Sequence, residues 1–591
     1  MRNNAEKIRD VDLYALLGII FTLAFVYFFF FGKYVLAFQE TQSLFVFSGE
    51  YLHQHLLKPG ALLEYTSRFL MQFYAGRFSG SIILSAVIAL PAVLILVISK
   101  RLIPGISNAA LFLMLIPSSL LLVLQANYFH MMEHNLGFLV ILFYYLVLIS
   151  STKKYHRAVV LILFPLVYYL AGAYIMIFAG MFIIHQLFIE KEKAGYIYSL
   201  LILLVAAITF FISWKVIFYQ PVQQFIFFPF PLLESPSYKV TFIVLGLYIV
   251  FYPLICRKIV HLNHGRLNRR IYSLICVSII FVVTGLFLYR TYNPQTARVI
   301  ELQRLIFREK WDDAIKYQEK YPARNLIGQY FYNIALSETD QLCDRLFFGS
   351  QDFGAGSLVL PWGDEHLNRG AYFYYSIGLI NEAHRWAYEE MVVYGYRPQN
   401  IKLLAKTSLI NGDYRMARKY INILKRTIYY RDWAKKFEKM ADNPALISSD
   451  PELGAKLKIL PKSNFFIKFN EPQNNLPLLL EAQPDNRKAF EYYLAGLLLT
   501  KNVEVAVNNI KKMKEIGYTR IPRHIEEAAL IYYNSTRVFP DLGGLTISSE
   551  TQARFDQYFA AYINGRNNPS LLKDKMQKKF GNTFWFYFHF K

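Results

Sequence analysis

Three cysteines in 591 residues are too few for a disulfide framework. Cys256 and Cys276 fall in or beside hydrophobic runs and Cys343 stands alone, so no cysteine metal cluster can be assembled either. Acid is scarce in the first half. Up to position 290 only ten Asp and Glu occur: Glu6, Asp10, Asp12, Glu40, Glu50, Glu64, Glu133, Glu190, Glu192 and Glu234. Beyond Arg290 long hydrophobic runs are missing: none approaches the roughly 20 residues that a bilayer core requires. That contrast divides the chain into a multi-pass membrane domain, 1–290, and a soluble domain, 291–591. The opening `MRNNAEKIRDVD` precedes a long apolar run with no small-residue cleavage site, so the expectation is a retained first helix.

The formal charge is +22, and much of the excess lies where cytoplasmic anchors of a membrane protein lie, so nucleic acid is not an expected partner. Candidate spans are 13–36, 82–98, 106–124, 136–149, 158–170, 173–188, 196–212, 240–254 and 271–288. The positive-inside rule decides whether `AVVLILFPLVYYLAGAYIMIFAGMFIIHQLF` is one helix or two. With Arg2, Lys7 and Arg9 inside, Lys100, Arg101, Lys153, Lys154 and Arg157 also fall inside. Lys191, Lys193, Arg257, Lys258, Arg266, Arg269 and Arg270 join them only if that segment breaks at Ala171-Gly172-Ala173. The expectation is therefore about nine spans in a cytoplasmic membrane, with the amino terminus cytoplasmic and the second domain periplasmic. The outer loop 37–80 is long, and `GEYLHQHLLKPGALLEYTSRFLMQFYAGRF` alternates apolar and polar residues as membrane-surface helices do.

In the second half, `YYSIGLINEAHRWAYEEM` and `KTSLINGDYRMARKYINIL` align Gly378 with Gly412, Ala383 with Ala417 and Trp386 with Tyr420. Each pair is 34 positions apart, the period of tetratricopeptide repeats. Segments around Trp311 and Ala314, and around Gly496 and Ala506, share the pattern more loosely. The fold class expected is all-α: a transmembrane helical bundle followed by a soluble helical solenoid resembling tetratricopeptide repeats. `SSDPELGAKLKILPKSNFFIKFNEPQNNLP` reads as a long surface loop. The aromatic ending `GNTFWFYFHFK` reads as a segment that packs back on the solenoid or meets the membrane interface.

Acids at membrane depth are functional suspects. Glu40 follows the first span in `AFQETQSLFVF` and Glu133 follows the third, so both emerge at the outer surface. This layout resembles the C-class glycosyltransferases, polytopic enzymes that use polyprenyl-phosphate-linked sugars. The resemblance implies transfer at the outer face, with Glu40 and Glu133 as catalytic residues and Glu40 as the base that deprotonates the acceptor hydroxyl. Arg68, Arg77 and Arg290 are candidate phosphate-binding residues. His130, Glu133 and His134 are candidate metal ligands. A divalent ion, magnesium or manganese in an oxygen shell, would assist the leaving phosphate. The whole chain also resembles a Bacteroidetes-type family of bacterial integral membrane proteins with no assigned activity, which shares endings like `FGNTFWFYFHF`.

The spacing His130-x-x-Glu133-His134 matches a zinc-peptidase pattern. It falls in a short turn between spans, where the continuous helix and third ligand of such an enzyme are not available, so that reading is set aside. The alternative to an enzyme is an envelope scaffold whose repeats bind a protein or glycan partner. A transporter or flippase is disfavoured because the spans are poor in ionisable residues.

Overall fold

The computed structural model describes residues 2–103, 112–151, 154–190, 192–218, 221–231, 235–260, 269–349, 351–468, 471–565 and 569–591. Lys153, Lys191, Glu234 and Arg266 lie outside them. Every regular element among the described residues is helical. The chain forms two compact units, Met1–Asn293 with Thr427–Tyr429, and Pro294–Arg426 with Tyr430–Lys591.

The first unit contains α1 (Arg2–Val26), α2 (Lys33–Gln42), α3 (Gly49–His55), α4 (Ala61–Met71), α5 (Arg77–Leu102), α6 (Phe112–Gln125) and α7 (Met132–Leu148). These are followed by α8 (Lys154–Ala171), α9 (Ile175–Ile184), α10 (Ala194–Ile212), α11 (Val222–Phe227), α12 (Pro236–Val260) and α13 (Arg269–Thr291). Six helical stretches among the described residues are long and apolar enough to cross a membrane: Tyr14–Phe31, Arg77–Leu102, Tyr155–Glu190, Ala194–Phe218, Pro236–Lys258 and Leu274–Thr291. Phe112–Gln125 and Met132–Leu148 are shorter and equally apolar. Phe138, Ile141, Tyr145, Phe178, Leu245 and Tyr252 share one buried core. Ile162, Ile197 and Leu200 are 75%, 62% and 70% exposed, a surface suited to lipid rather than water.

Tyr155–Glu190 is not one straight rod. Arg157 bonds to Glu190, 33 positions later, and to Glu192 at 3.1 Å. On a continuous helix, residues 33 apart would stand about 50 Å from each other at ~1.5 Å rise per residue. The segment therefore doubles back, and the turn is Gly172, with φ of +59°.

Contacts between distant segments sort to two ends of this unit. At one end Arg257 donates to the carbonyls of Phe188 and Ile189, both at 3.0 Å, and Arg101 to that of Leu146 at 3.4 Å. At the other, Gly60 N donates to Tyr169 O at 2.8 Å and Ala173 N to Phe228 O at 2.9 Å. Gln39 Nε2 donates there to His130 O at 2.7 Å, and the Tyr34 ring meets Tyr292 just past α13. Loop 37–80 carries α3, α4 and the end of α2 on this second end.

The second unit is built from helical hairpins. Five pairs share one turn: Pro294–Phe307 with Trp311–Lys320, Leu326–Glu338 with Leu342–Arg345, Leu367–Ser376 with Ile380–Tyr394, Pro398–Ile410 with Tyr414–Lys425, and Arg487–Leu499 with Val503–Asn508. Each first helix ends in a left-handed residue: Glu309, Asp340, Gly378, Gly412 and Lys501. The next residue's N–H then donates to a carbonyl five positions back, as in Lys310 to Leu305 and Asp413 to Ser408, a Schellman-type closure. Ala314, Ala383, Ala417 and Ala506 lie five positions past the left-handed residue and are fully buried, so the paired helices pack closely.

One expectation changes here and one of two alternatives is met. The stretch from Ser448 is not all loop: Pro451–Lys458 is a helix capped by Asp450, whose carboxylate accepts from Glu452 N and Leu453 N, and only the part near Phe466 is fully exposed. The aromatic ending packs onto the second unit. Phe584 N donates to Glu527 Oε2 at 2.6 Å, Trp585 Nε1 to Glu527 O at 2.9 Å and Tyr587 OH to Leu499 O at 2.9 Å.

Candidate functional site

Helix α4 carries Leu63, Ser67 and Met71 on one buried stripe at i, i+4 and i+8, and this helix packs on α7. Ser67, the polar member of the stripe, donates its hydroxyl to Glu133 Oε2 at 2.7 Å. Glu133 lies in the first turn of α7, where the helix macrodipole favours an anion. One position round α4 from the stripe, Glu64 and Arg68 form an i,i+4 ion pair. Lys58 adds a second cation to Glu64 at 3.5 Å, and Arg68 Nη1 donates to Tyr51 OH at 3.2 Å. The side chains of Glu64 and Arg68 are only 18% and 25% exposed. Glu133 is in electrostatic range of both.

The cluster is therefore a partly desolvated guanidinium paired with one carboxylate and within electrostatic range of a second. Burial alone would raise the Glu64 carboxyl, but Arg68 and Lys58 outweigh it and hold it below the ordinary carboxylate range. Glu64, Ser67, Lys58 and Tyr51 are site residues that the sequence reading did not choose. The i,i+4 spacing of Glu64 and Arg68 in an amphipathic helix was the available signal.

The other sequence candidates fall elsewhere. Glu40 lies in the last turn of α2, half-exposed, next to Gln39, which donates to Tyr128 O and His130 O. It shares the end of the unit with Glu133, but the carboxylate that acts electrostatically on Glu133 and pairs with Arg68 is Glu64. Arg77 donates to Phe29 O, and its guanidinium lies over the Phe29 ring at 4.2 Å, in the turn that follows α1. Arg290 is exposed in the last turn of α13 and takes no part in these pairs.

Met131 is extended, so His130 precedes α7 and is not on the helix that carries Glu133 and His134. His130 Nε2 donates to Asn135 Oδ1 at 3.1 Å, leaving Nδ1 to accept from Tyr238 OH at 2.7 Å. Gln125 joins Asn135 and His130 O to Gln39 in the same buried network. Both imidazole nitrogens of His130 are therefore bonded, and Glu133 is turned to Ser67. Among the described residues no three His, Cys, Asp or Glu side chains gather at ligand spacing.

The chain belongs to the DUF6057 family, a family of unknown function, which matches residues 9–591. No curated protein and no solved structure matches it.

Proposed function

We propose that this DUF6057 member is an integral membrane transferase that moves a sugar from a polyprenyl-phosphate carrier at the outer face of the cytoplasmic membrane. One observation supports the reading: Arg68 is ion-paired with Glu64 and lies within electrostatic range of Glu133, where a long interhelical loop folds onto the bundle. The topology proposed with it has nine crossings, the amino terminus inside and the second unit outside. The doubling back at Gly172 supports that parity, as does the coherent sorting of loops to two ends.

In this scheme the acceptor oxygen bonds to the anomeric carbon as the bond from that carbon to the phosphate oxygen breaks. The electron pair leaves with the phosphate, and Arg68 offsets its charge. The acceptor proton passes to Glu133, with Glu40 as the other base candidate at the same end. No step uses a metal ion.

The test is transfer of labelled sugar from a polyprenyl phosphate by the full chain in lipid nanodiscs, beside cell-surface glycans in a strain carrying each variant. Glu133→Gln should lose roughly 10²–10⁴-fold in rate, the range of general-base catalysis. Glycans unchanged in both Glu133→Gln and Glu40→Gln, beside a clear loss in a strain lacking the gene, would remove these carboxylates from the mechanism. The second reading, a scaffold whose tetratricopeptide-like hairpins bind a protein partner, draws support from the five shared hairpin turns. It predicts that Glu133→Gln restores the wild-type phenotype in full.

A further inference from the structure

The second unit contains a cavity of about 200 Å³ lined by the first helices of four successive hairpins, by Glu309 and Trp311 at the turn of the first, and by Glu452. Aromatic side chains form much of its wall: Phe307, Trp311, Tyr372 and Tyr375. The rest is charged. Lys406, 6% exposed, sends Nζ to Glu309 Oε1 at 2.5 Å and to Glu452 Oε1 and Oε2 at 2.7 and 2.8 Å. Tyr375 OH donates to the same Glu452 Oε1 at 2.7 Å. Behind it Lys456 holds both oxygens of Glu338, at 2.9 and 3.1 Å.

Such a cluster is a poor device for stability alone. Desolvating several charges costs about as much as their attraction returns, and apolar packing in their place is often neutral or stabilising. Here the charges surround open volume instead of closing it. Their chemistry narrows the occupant. The donors of Lys406 are already taken, so an anion or zwitterion would have to break its clamp on Glu309 and Glu452. A cation would have to displace Lys406 itself. The carboxylates retain lone pairs, because an ionised carboxylate has about four acceptor sites. They can therefore receive hydroxyl donors, and the ring faces can receive a C–H face. The volume is below the roughly 300–1,000 Å³ of clefts that hold drug-sized ligands. It suits one ring rather than a chain segment.

We propose that this cavity binds a single neutral sugar ring, its hydroxyls donating to the Glu309 and Glu452 carboxylates and one face stacking on the aromatic wall. The proposal is independent of the transferase reading, since it concerns a different unit of the chain and binding without chemistry. The experiment is saturation-transfer NMR of the full chain in lipid nanodiscs, free of sugar-headed detergent. The probes are glucose, galactose, mannose and N-acetylglucosamine, with glucuronate, glucosamine and glycine as charged comparisons.

At least one neutral sugar should give a saturable signal at millimolar concentration and bind more tightly than the three comparisons. Trp311→Leu and Gln399→Leu, both on the lining, should each weaken it roughly tenfold with the melting temperature unchanged. If one of these variants fails to fold, the other carries the comparison. Absence of saturable binding by every neutral sugar overturns the proposal. So does tighter binding of a charged comparison, or binding unaltered in a folded lining variant.

Discussion

Gly172→Ala tests the doubling back of Tyr155–Glu190 on which the topology of the first unit depends. The residue sits at φ of +59°, a conformation that costs an L side chain roughly 1–2 kcal/mol. A Cβ built there would lie 2.5 Å from Phe228 O and 2.7 Å from Pro229 Cδ, with Gly60 Cα at 3.2 Å. Two of these three atoms are backbone, so relief requires moving a whole segment, and forced overpacking of this kind adds about 1–3 kcal/mol. The expected loss is about 2–5 kcal/mol, or roughly 4–20 °C in the unfolding midpoint at ~2–4 °C per kcal/mol for a unit of this size. Gly60→Ala meets the same approach from the other side, so the double variant should cost less than the sum of the two. Gly18→Ala is the control: nothing lies within 4 Å of its Cβ, and a helical Gly→Ala change gains ~0.5–1 kcal/mol. The assay is thermal unfolding of the full chain in micelles by intrinsic fluorescence. A Gly172→Ala protein as stable as Gly18→Ala would refute the packed turn.

Glu527 is buried, and burial alone would raise it. His524, Arg523 and the Phe584 N–H outweigh that and hold it below the ordinary carboxylate range. Its contribution is therefore present above the unfolded carboxyl pKa and lost as pH falls through the lower folded value; Trp585 fluorescence on acidification should report release of the aromatic ending, and Glu527→Ala should cost about 3–5 kcal/mol by denaturant midpoint. Glu390 runs the other way: burial, only partly offset by Arg397, pushes it up from 4.5 to about 7. Stability from this group is full below the unfolded value and falls as pH rises from 4.5 to 7, so Glu390→Gln should flatten that part of a stability–pH curve. For topology, cysteines placed at Asp432, whose side chain is 98% exposed, and at Lys258 should react oppositely with an impermeant thiol reagent on intact spheroplasts. Labelling of Lys258→Cys but not Asp432→Cys would reverse the proposed orientation.

Periodic features of the fold could be read because each had a local physical cause. The break at Gly172 follows from where the chain places lysine and arginine, since charged side chains resist apolar surroundings wherever the helices pack. The hairpins around Gly378 and Gly412 follow from glycine at a left-handed turn with a small residue five positions on. The hairpin at Asp340 was missed because an aspartate takes the left-handed position and Arg345 stands where the others have alanine. Its spacing from neighbouring turns also departs from 34, so no period announced it. The helix Pro451–Lys458 was hidden by a proline that reads as a breaker but sits at the first helical position, where its missing N–H costs nothing.

The candidate site was less legible because its members are joined only by packing. Glu40 and Glu133 stand out in the sequence as acids near the ends of apolar runs, yet proximity to a helix end says nothing about which acids face each other. That depends on α4 lying across α7, a contact set by the buried Leu63–Ser67–Met71 stripe. The same packing separates two kinds of polar residue that the segment 125–135 presents side by side. Gln125, His130 and Asn135 bond to one another and to Gln39 and Tyr238, a closed network that ties α2, α6, α7 and α12 together. A network with its donors and acceptors matched fixes positions and offers little to a ligand. Glu133, three residues past His130 and turned to Ser67, lies instead within electrostatic range of the Glu64–Arg68 pair. His130 therefore belongs to the network that fixes the helices, and the electrostatics lie with Glu64, Arg68 and Glu133.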